Sequence, residues 1–244
     1  MKVYGLVGKD IDYSFSKKYF AEYFKKSGIE DCVYENFSIN EIDGFKELLE
    51  RNPSIAGLNI TIPYKEAIIP FIHKLSKKAA AIGAVNVIRF QKNGKIKGYN
   101  TDCYGFKKSI KPLIQTHHRK ALILGTGGSS KAIVFALNEL DIACTYVSRN
   151  KKSDYLTYEE LTAKTFEDFQ IIVNCTPLGT FPKVDECPPV PYQYFSNKHL
   201  AFDLVYNPPE TLFLQKAKQH DATIKNGWEM LIYQAKKSWQ IWQK

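Results

Sequence analysis

No run in this sequence is long and apolar enough to cross a bilayer as a helix, no unit is repeated, and no tract is of low complexity. Those absences exclude a helical membrane protein, a solenoid and a disordered linker. Cysteine is sparse and scattered: Cys32, Cys103, Cys144, Cys175 and Cys187, an odd number without a Cys-x-x-Cys pair. That usage suits reduced thiols and argues against a disulfide framework or a zinc site. The five histidines (His73, His117, His118, His199, His220) are not grouped as ligands, so no metal is expected. Met1–Gly5 runs straight into a strand with no apolar signal core, so a cytoplasmic protein without a membrane partner is expected. Acidic residues are the minority, 25 against 34 basic, leaving a formal charge of +9. A basic surface attracts anions. With no basic arm, stripe or aromatic interleaving, however, a small polyanionic ligand is expected and nucleic acid is not.

What is present is an alternation of strand and helix patterns over 244 residues, enough for two domains. Strands are expected at Lys2–Gly8, Cys32–Ile39 and Ile55–Thr61, with helices at Ser16–Lys26 and at Glu41–Arg51, the latter capped by Asn40. A helical stretch follows from Pro63, and Val85–Phe90 with Ile96–Tyr99 reads as a hairpin turning at Asn93-Gly94. A helix over 104–114 leads into the second half. Alternation of this kind means an α/β fold with largely parallel sheets.

The clearest unit lies in that second half. Lys120–Leu124 is a buried strand, Gly125-Thr126-Gly127-Gly128-Ser129-Ser130 a glycine-rich turn, Lys131–Leu140 a helix and Ala143–Val147 the next strand. This is the opening of a Rossmann-type dinucleotide-binding domain: the glycines let the backbone approach a pyrophosphate resting on the helix N-terminus. Ser130 stands where the third glycine is usual. An NAD site wants an acidic residue at the end of the second strand; here Ser148-Arg149-Asn150-Lys151-Lys152 offers a guanidinium and ammonium groups, so NADP(H) is the expected cofactor. Strands at Ile171–Asn174 and Leu200–Val205 follow, and their carboxyl ends, 174–180 and 204–206, should border the nicotinamide.

In the first half the informative stretch is Gly57–Lys65. The apolar run with Ile55, Leu58 and Ile60 reads as a buried strand, ending in Asn59 and Thr61, which point away from Leu58 and Ile60. Pro63 puts Lys65 in the first turn of a helix, where the dipole disfavours an ammonium and favours a group that exchanges a proton.

Taken together these pieces resemble the shikimate dehydrogenase family, over nearly the whole chain. The matching runs are 13–16 (Tyr-Ser-Phe-Ser), 57–65, 82–86 (Ile-Gly-Ala-Val-Asn), 100–102 (Asn-Thr-Asp), 125–129, 174–179 (Asn-Cys-Thr-Pro-Leu-Gly), 203–206 (Asp-Leu-Val-Tyr) and 227–234 (Gly-Trp-Glu-Met-Leu-Ile-Tyr-Gln). The resemblance implies reversible reduction of 3-dehydroshikimate to shikimate by NADPH, in aromatic amino-acid biosynthesis. It implies that Ser14 and Ser16 hold the substrate carboxylate. Thr61, Asn86, Asp102 and Gln234 then bond the ring hydroxyls, with Asn59 and Tyr206 close by. It makes Lys65, paired with Asp102, the residue that passes the proton, and adds Thr176, Leu204 and Gly227 at the cofactor. Lys9, Tyr13 and Lys17 depart from the family pattern in the loop that carries the two serines.

The expected organisation is a substrate domain of residues 1–101 and 227–244, an NADP domain of residues 102–226, and a cleft between them, in a monomer or homodimer. Two other readings fit less well. A quinate/shikimate dehydrogenase using NAD would want an acidic residue after Val147, and a non-catalytic NADP-binding regulatory module would have no use for Lys65 and Asp102.

Overall fold

The computed structural model describes residues 1–11 and 14–244; Tyr13, one of the departures noted above, lies outside them. The chain divides into two compact units, residues 1–101 with 235–244, and residues 102–234.

The first unit runs β1 (Lys2–Gly8), α1 (Phe15–Lys26), β2 (Cys32–Ser38), α2 (Phe45–Arg51), β3 (Ile55–Ile60), α3 (Tyr64–Ala67), β4 (Lys74–Leu75), α4 (Lys77–Ile82), β5 (Val87–Phe90) and β6 (Ile96–Tyr99). Its sheet has the order β2-β1-β3-β5-β6-β4. It is mixed rather than largely parallel. β1 pairs in parallel with β2 and β3, and β4 with β6, whereas the hairpin strand β5 is antiparallel to both β3 and β6. A tight hairpin at Gly94, with φ of 76°, can only join antiparallel neighbours.

Alternation along β3 feeds two cores. Leu58 and Ile60 pack with Val7, Phe45, Tyr64, Ile68 and Ile88. Gly57 and Asn59 face the other way, toward α1 and the chain's last helix, where Phe20, Phe24 and Trp242 meet Tyr4 and Tyr34. Phe20 stacks on Tyr34, ring centroids 4.4 Å apart and 11° from parallel. Burying each such side chain stabilises the unit by roughly 1.5–3 kcal/mol.

The second unit comprises α5 (Asp102–Ile110), β7 (Lys120–Leu124), α6 (Gly128–Asn138), β8 (Ala143–Ser148), β9 (Tyr155–Thr157), α7 (Ala163–Asp168), β10 (Ile171–Asn174), β11 (Leu200–Asp203), α8 (Leu212–Lys218), β12 (Thr223–Lys225) and the first half of α9 (Trp228–Trp242). All its strand pairs are parallel, in the order β12-β11-β10-β7-β8-β9. Renumbered from β7, this is the 3-2-1-4-5-6 order of dinucleotide-binding sheets, with its switch point between β7 and β10. Leu122, Leu124, Phe166, Ile172, Phe213 and Leu214 form the core of one face.

Several sequence expectations are corrected. The helix from Pro63 is a single turn, followed by a separate 3-10 turn over Ile69–Phe71, because Pro70 interrupts the ladder. Asn40 does not cap α2; a 3-10 turn, Ile42–Gly44, intervenes, and Gly44 is the helix's first flanking residue. β4, β9 and α7 carry no pattern long enough to be read. The return to the first unit falls within α9, between Gln234 and Ala235, not at Gly227. A division inside a continuous helix has no turn residue to mark it. Among the described residues no helix is long and apolar enough to cross a membrane.

Candidate active site

In the first unit the polar groups of interest sit at one edge of the sheet, at the carboxyl ends of β1, β3 and β6 and the amino end of the antiparallel β5. Ser14 is the N-cap of α1, its hydroxyl oxygen accepting from the Ser16 N–H at 3.3 Å. An N-cap serine keeps its hydroxyl proton for a further partner, and the helix N-terminus favours an anion there. Ser16 is half-buried like Ser14. Lys17, one of the departures from the family pattern, is tied to Glu35 at 2.6 Å.

Asn59 is buried and engaged on every side. Its Oδ1 accepts from Tyr34 at 2.9 Å, and its Nδ2 donates to the Asn86 carbonyl at 3.2 Å and to Ser238 at 3.1 Å. Asn86 is likewise buried, donating to the Thr101 hydroxyl at 3.0 Å and accepting from the Thr101 N–H at 2.7 Å. These two amides fix the ends of β3 and β6 against each other. Thr61, just past β3, is half-buried, and its hydroxyl has no hydrogen-bond partner among the described residues. Lys65 is half-buried on α3, held there by its backbone carbonyl, which accepts from Val85 at 2.7 Å.

In the second unit Asp102 is buried at the first position of α5, where the helix dipole favours a carboxylate. α5 and α9 meet at Gly105: a Cβ there would collide with the Met230 carbonyl at 2.5 Å and crowd Gln234 at 3.1 Å. The absence of that Cβ is what lets Asp102 and Gln234 ride on closely packed helices.

The glycine turn after β7 fits a dinucleotide. Gly125 has φ of 99°, a left-handed conformation a side chain would strain, and its Cβ would press on Thr176 at 3.1 Å. At Gly127, the N-cap of α6, the Cβ position opens on empty space, which is where a pyrophosphate needs the backbone bare. Thr126, Gly128 and Ser129 complete this half-exposed turn. Ser130, in place of the third glycine, is buried and donates to the Gly127 carbonyl at 2.7 Å, closing the first helical turn.

At the end of β8 the basic cluster is divided. Lys151 is bound by Glu160 at 2.6 and 2.8 Å, and Lys152 lies over the Tyr155 ring at 5.4 Å. Arg149 is exposed, with no carboxylate partner among the described residues, beside Tyr158, whose phenol burial pushes up to about 12 against the pull of that guanidinium. Ser148 accepts from the Asn150 N–H at 3.3 Å, which shapes the turn.

At the ends of β10 and β11, Thr176 bonds Asn174 and Asn174 bonds Asp203. Leu204 donates its N–H to the Asn174 carbonyl at 3.0 Å, and Gly227, whose Cβ position is taken by the Leu204 carbonyl, donates to Val205 at 3.0 Å. Tyr206 is half-buried, its ring 6.1 Å from that of Trp228. Sequence reasoning missed the supporting groups Tyr34, Ser238 and Thr211. It quoted Asp203 in a motif without giving it work, although a carboxylate inside an apolar strand is itself a signal.

A parallel sheet with a glycine turn at its switch point, joined to a second α/β unit bearing clustered hydroxyls, amides and a lysine, defines a two-unit oxidoreductase of the nicotinamide-dependent class. Residues 6–88 match the family model of the shikimate dehydrogenase substrate binding domain. The chain is 39% identical over 249 residues to a shikimate dehydrogenase (NADP(+)) of Clostridium botulinum, covering 98% of this chain and 95% of the relative. The crystal structure of shikimate dehydrogenase from Aquifex aeolicus superposes with a TM-score of 0.88 at 32% identity, over 99% of this chain and 92% of that one. The Thermus thermophilus shikimate 5-dehydrogenase, solved in complex with NADP(H) and shikimate, gives 0.86 at 27% identity, over 99% and 93%. This chain belongs to the shikimate dehydrogenase family.

Proposed function

We propose that the protein catalyses the reversible NADPH-dependent reduction of 3-dehydroshikimate to shikimate, as a cytoplasmic monomer or homodimer in aromatic amino-acid biosynthesis. The observation that carries this reading is family membership along the full chain, and Lys65 and Asp102 stand at the positions to which the family resemblance gives the proton transfer. Gly125–Ser129 hold the pyrophosphate, Arg149 with the turn 148–151 the 2′-phosphate, and Thr176, Leu204 and Gly227 border the nicotinamide. When bound, NADPH supplies the hydride that adds to C3 of the substrate. As the carbonyl electrons move onto oxygen, Lys65 delivers the proton that makes the alcohol, and takes it back in reverse. Asp102 accepts from the neighbouring ring hydroxyl and acts with Lys65 in that step. Ser14 and Ser16 donate to the carboxylate; Thr61 and Gln234 bond ring hydroxyls, with Tyr206 near them. Asn59 and Asn86 have most of their amide bonding committed within the first unit, so their part is to hold the others in register.

NADPH oxidation by the purified protein, offered 3-dehydroshikimate and 3-dehydroquinate separately, tests this. Turnover of the first alone is expected, with Lys65→Ala slowed by roughly 10²–10⁴-fold and NADPH binding kept. Equal use of both substrates, or faster rates with NADH, would transfer the protein to the quinate-type reading.

A further inference from the structure

Asp203 is the most deeply buried carboxyl group in the described residues that the proposed reaction leaves without a role, at 0% exposure. It closes β11. Its Oδ1 accepts from Asn174 Nδ2 at 3.0 Å and from the Val205 N–H at 2.9 Å, and its Oδ2 accepts from the Thr211 hydroxyl at 2.6 Å. Each of those partners governs a different segment. Asn174 ends β10, and its own Oδ1 accepts from the N–H and the hydroxyl of Thr176 at 3.0 and 2.6 Å, shaping the turn after the strand. Val205 belongs to the turn that carries Tyr206 and receives the Gly227 N–H. Thr211, also at 0% exposure, caps α8.

A carboxylate with no ion-pair partner among the described residues is an expensive group to bury, and a core position could hold an apolar residue instead. What the carboxylate alone supplies is two oxygens able to accept from three donors on three segments at once. One of those segments, the turn after β10, lies beside the glycine turn, with the Thr176 side chain 3.1 Å from the Cβ position of Gly125, and the turn after β11 is the next along the sheet. In a sheet of this topology that is where the reactive end of a dinucleotide comes to rest, at the carboxyl ends of the strands next to the switch point.

We propose that Asp203 is a positioning residue for the reaction, holding the turns after β10 and β11 in the geometry that aligns the nicotinamide for hydride transfer. The proposal rests on the reading of function given above. Asp203 touches neither cofactor nor substrate; it acts through Asn174, Thr176 and Val205. The pyrophosphate and 2′-phosphate contacts lie on other segments, so loss of Asp203 separates binding from rate.

The test compares Asp203→Ala, which removes all three bonds, with Asp203→Asn, which keeps an acceptor for Asn174 and Val205. The readouts are kcat, the NADPH dissociation constant by fluorescence titration, the emission of bound NADPH at saturation, and the melting temperature. For Asp203→Ala, kcat is expected to fall roughly tenfold to a hundredfold, as for a displacement near 1 Å, with NADPH affinity changed by less than about threefold. Asp203→Asn should recover most of the rate. An Asp203→Ala protein that melts earlier but keeps its kcat, or one whose rate loss follows its loss of NADPH affinity, overturns the proposal. If Asp203→Ala does not fold, Asn174→Ala breaks the same tie from the other strand and should give the same split. If the parent binds NADPH but does not reduce 3-dehydroshikimate, the functional reading fails by itself. The emission of bound NADPH then decides, since a changed emission at equal affinity still supports positioning and an unchanged one refutes it.

Discussion

Arg149 and Lys151 stand two residues apart at the end of β8, and the sequence treats them alike, yet the fold divides them. Lys151 is occupied by Glu160, while Arg149 keeps its planar donor set clear of any carboxylate among the described residues. Arg149→Ala is therefore expected to raise the KM for NADPH by roughly ten- to a hundredfold, the value of a charge-assisted phosphate contact, while leaving the KM for NADH nearly unchanged. Lys151→Ala should move the NADPH value by less than about threefold, since it breaks an exposed pair rather than a phosphate contact. Steady-state kinetics with both cofactors check this, and equal losses in the two variants would refute the division. Lys65 stands out in the sequence because a lysine in the first turn of a helix is out of place. The helix proved to be one turn long, so what positions Lys65 is the Val85 hydrogen bond to its carbonyl rather than an extended dipole.

Among the elements, α9 does the least visible work. Its last turn places the Trp242 indole where a side chain on Gly57 would be, and the indole N–H donates to the Ile88 carbonyl at 2.9 Å. One turn earlier Ser238 receives Asn59. Gly57→Ala is thus expected to destabilise the first unit by about 1–3 kcal/mol through overpacking, read as a lower urea midpoint. An unchanged midpoint would mean that the indole can move aside at no cost. The legible elements were those with a strong period or punctuation: β7–α6–β8 with its glycines, and the β5–β6 hairpin with Asn93-Gly94. A two-residue strand such as β4 pairs only because β6 lies beside it, and no local pattern could announce that.

For the molecule as a whole, two buried histidines of the second unit contribute to its response to acid. His118 accepts from the Gln115 N–H and His199 from the Ser196 N–H, each at 3.0 Å through Nδ1, which requires a neutral ring. Burial lowers the pKa of both, with the neighbouring His117 adding to the effect and the hydrogen bonds their rings donate to the Lys198 and Phe166 carbonyls opposing it. A histidine whose folded pKa lies below its unfolded value of about 6.5 contributes stability that is complete above that pH and lost as the pH falls below it. Asp203 acts in the opposite sense, because burial pushes it up to about 7, so its contribution declines as pH rises toward that value. The two are separated by substitution: the melting-temperature penalty of His118→Gln should be larger at pH 7.5 than at pH 5. Equal penalties at both would show that His118 is not held neutral.

Local period, the placement of glycine and the order of motifs were enough to read the family, the two α/β units and the dinucleotide turn from the residues alone. The bonds of Asn59 to Tyr34 and Ser238, of Lys151 to Glu160, and of Asp203 to three segments emerge once the chain is packed. Each of these depends on which distant donor or acceptor comes within about 3 Å once the strands have paired, and that distance is a property of the packed chain rather than of any stretch of it.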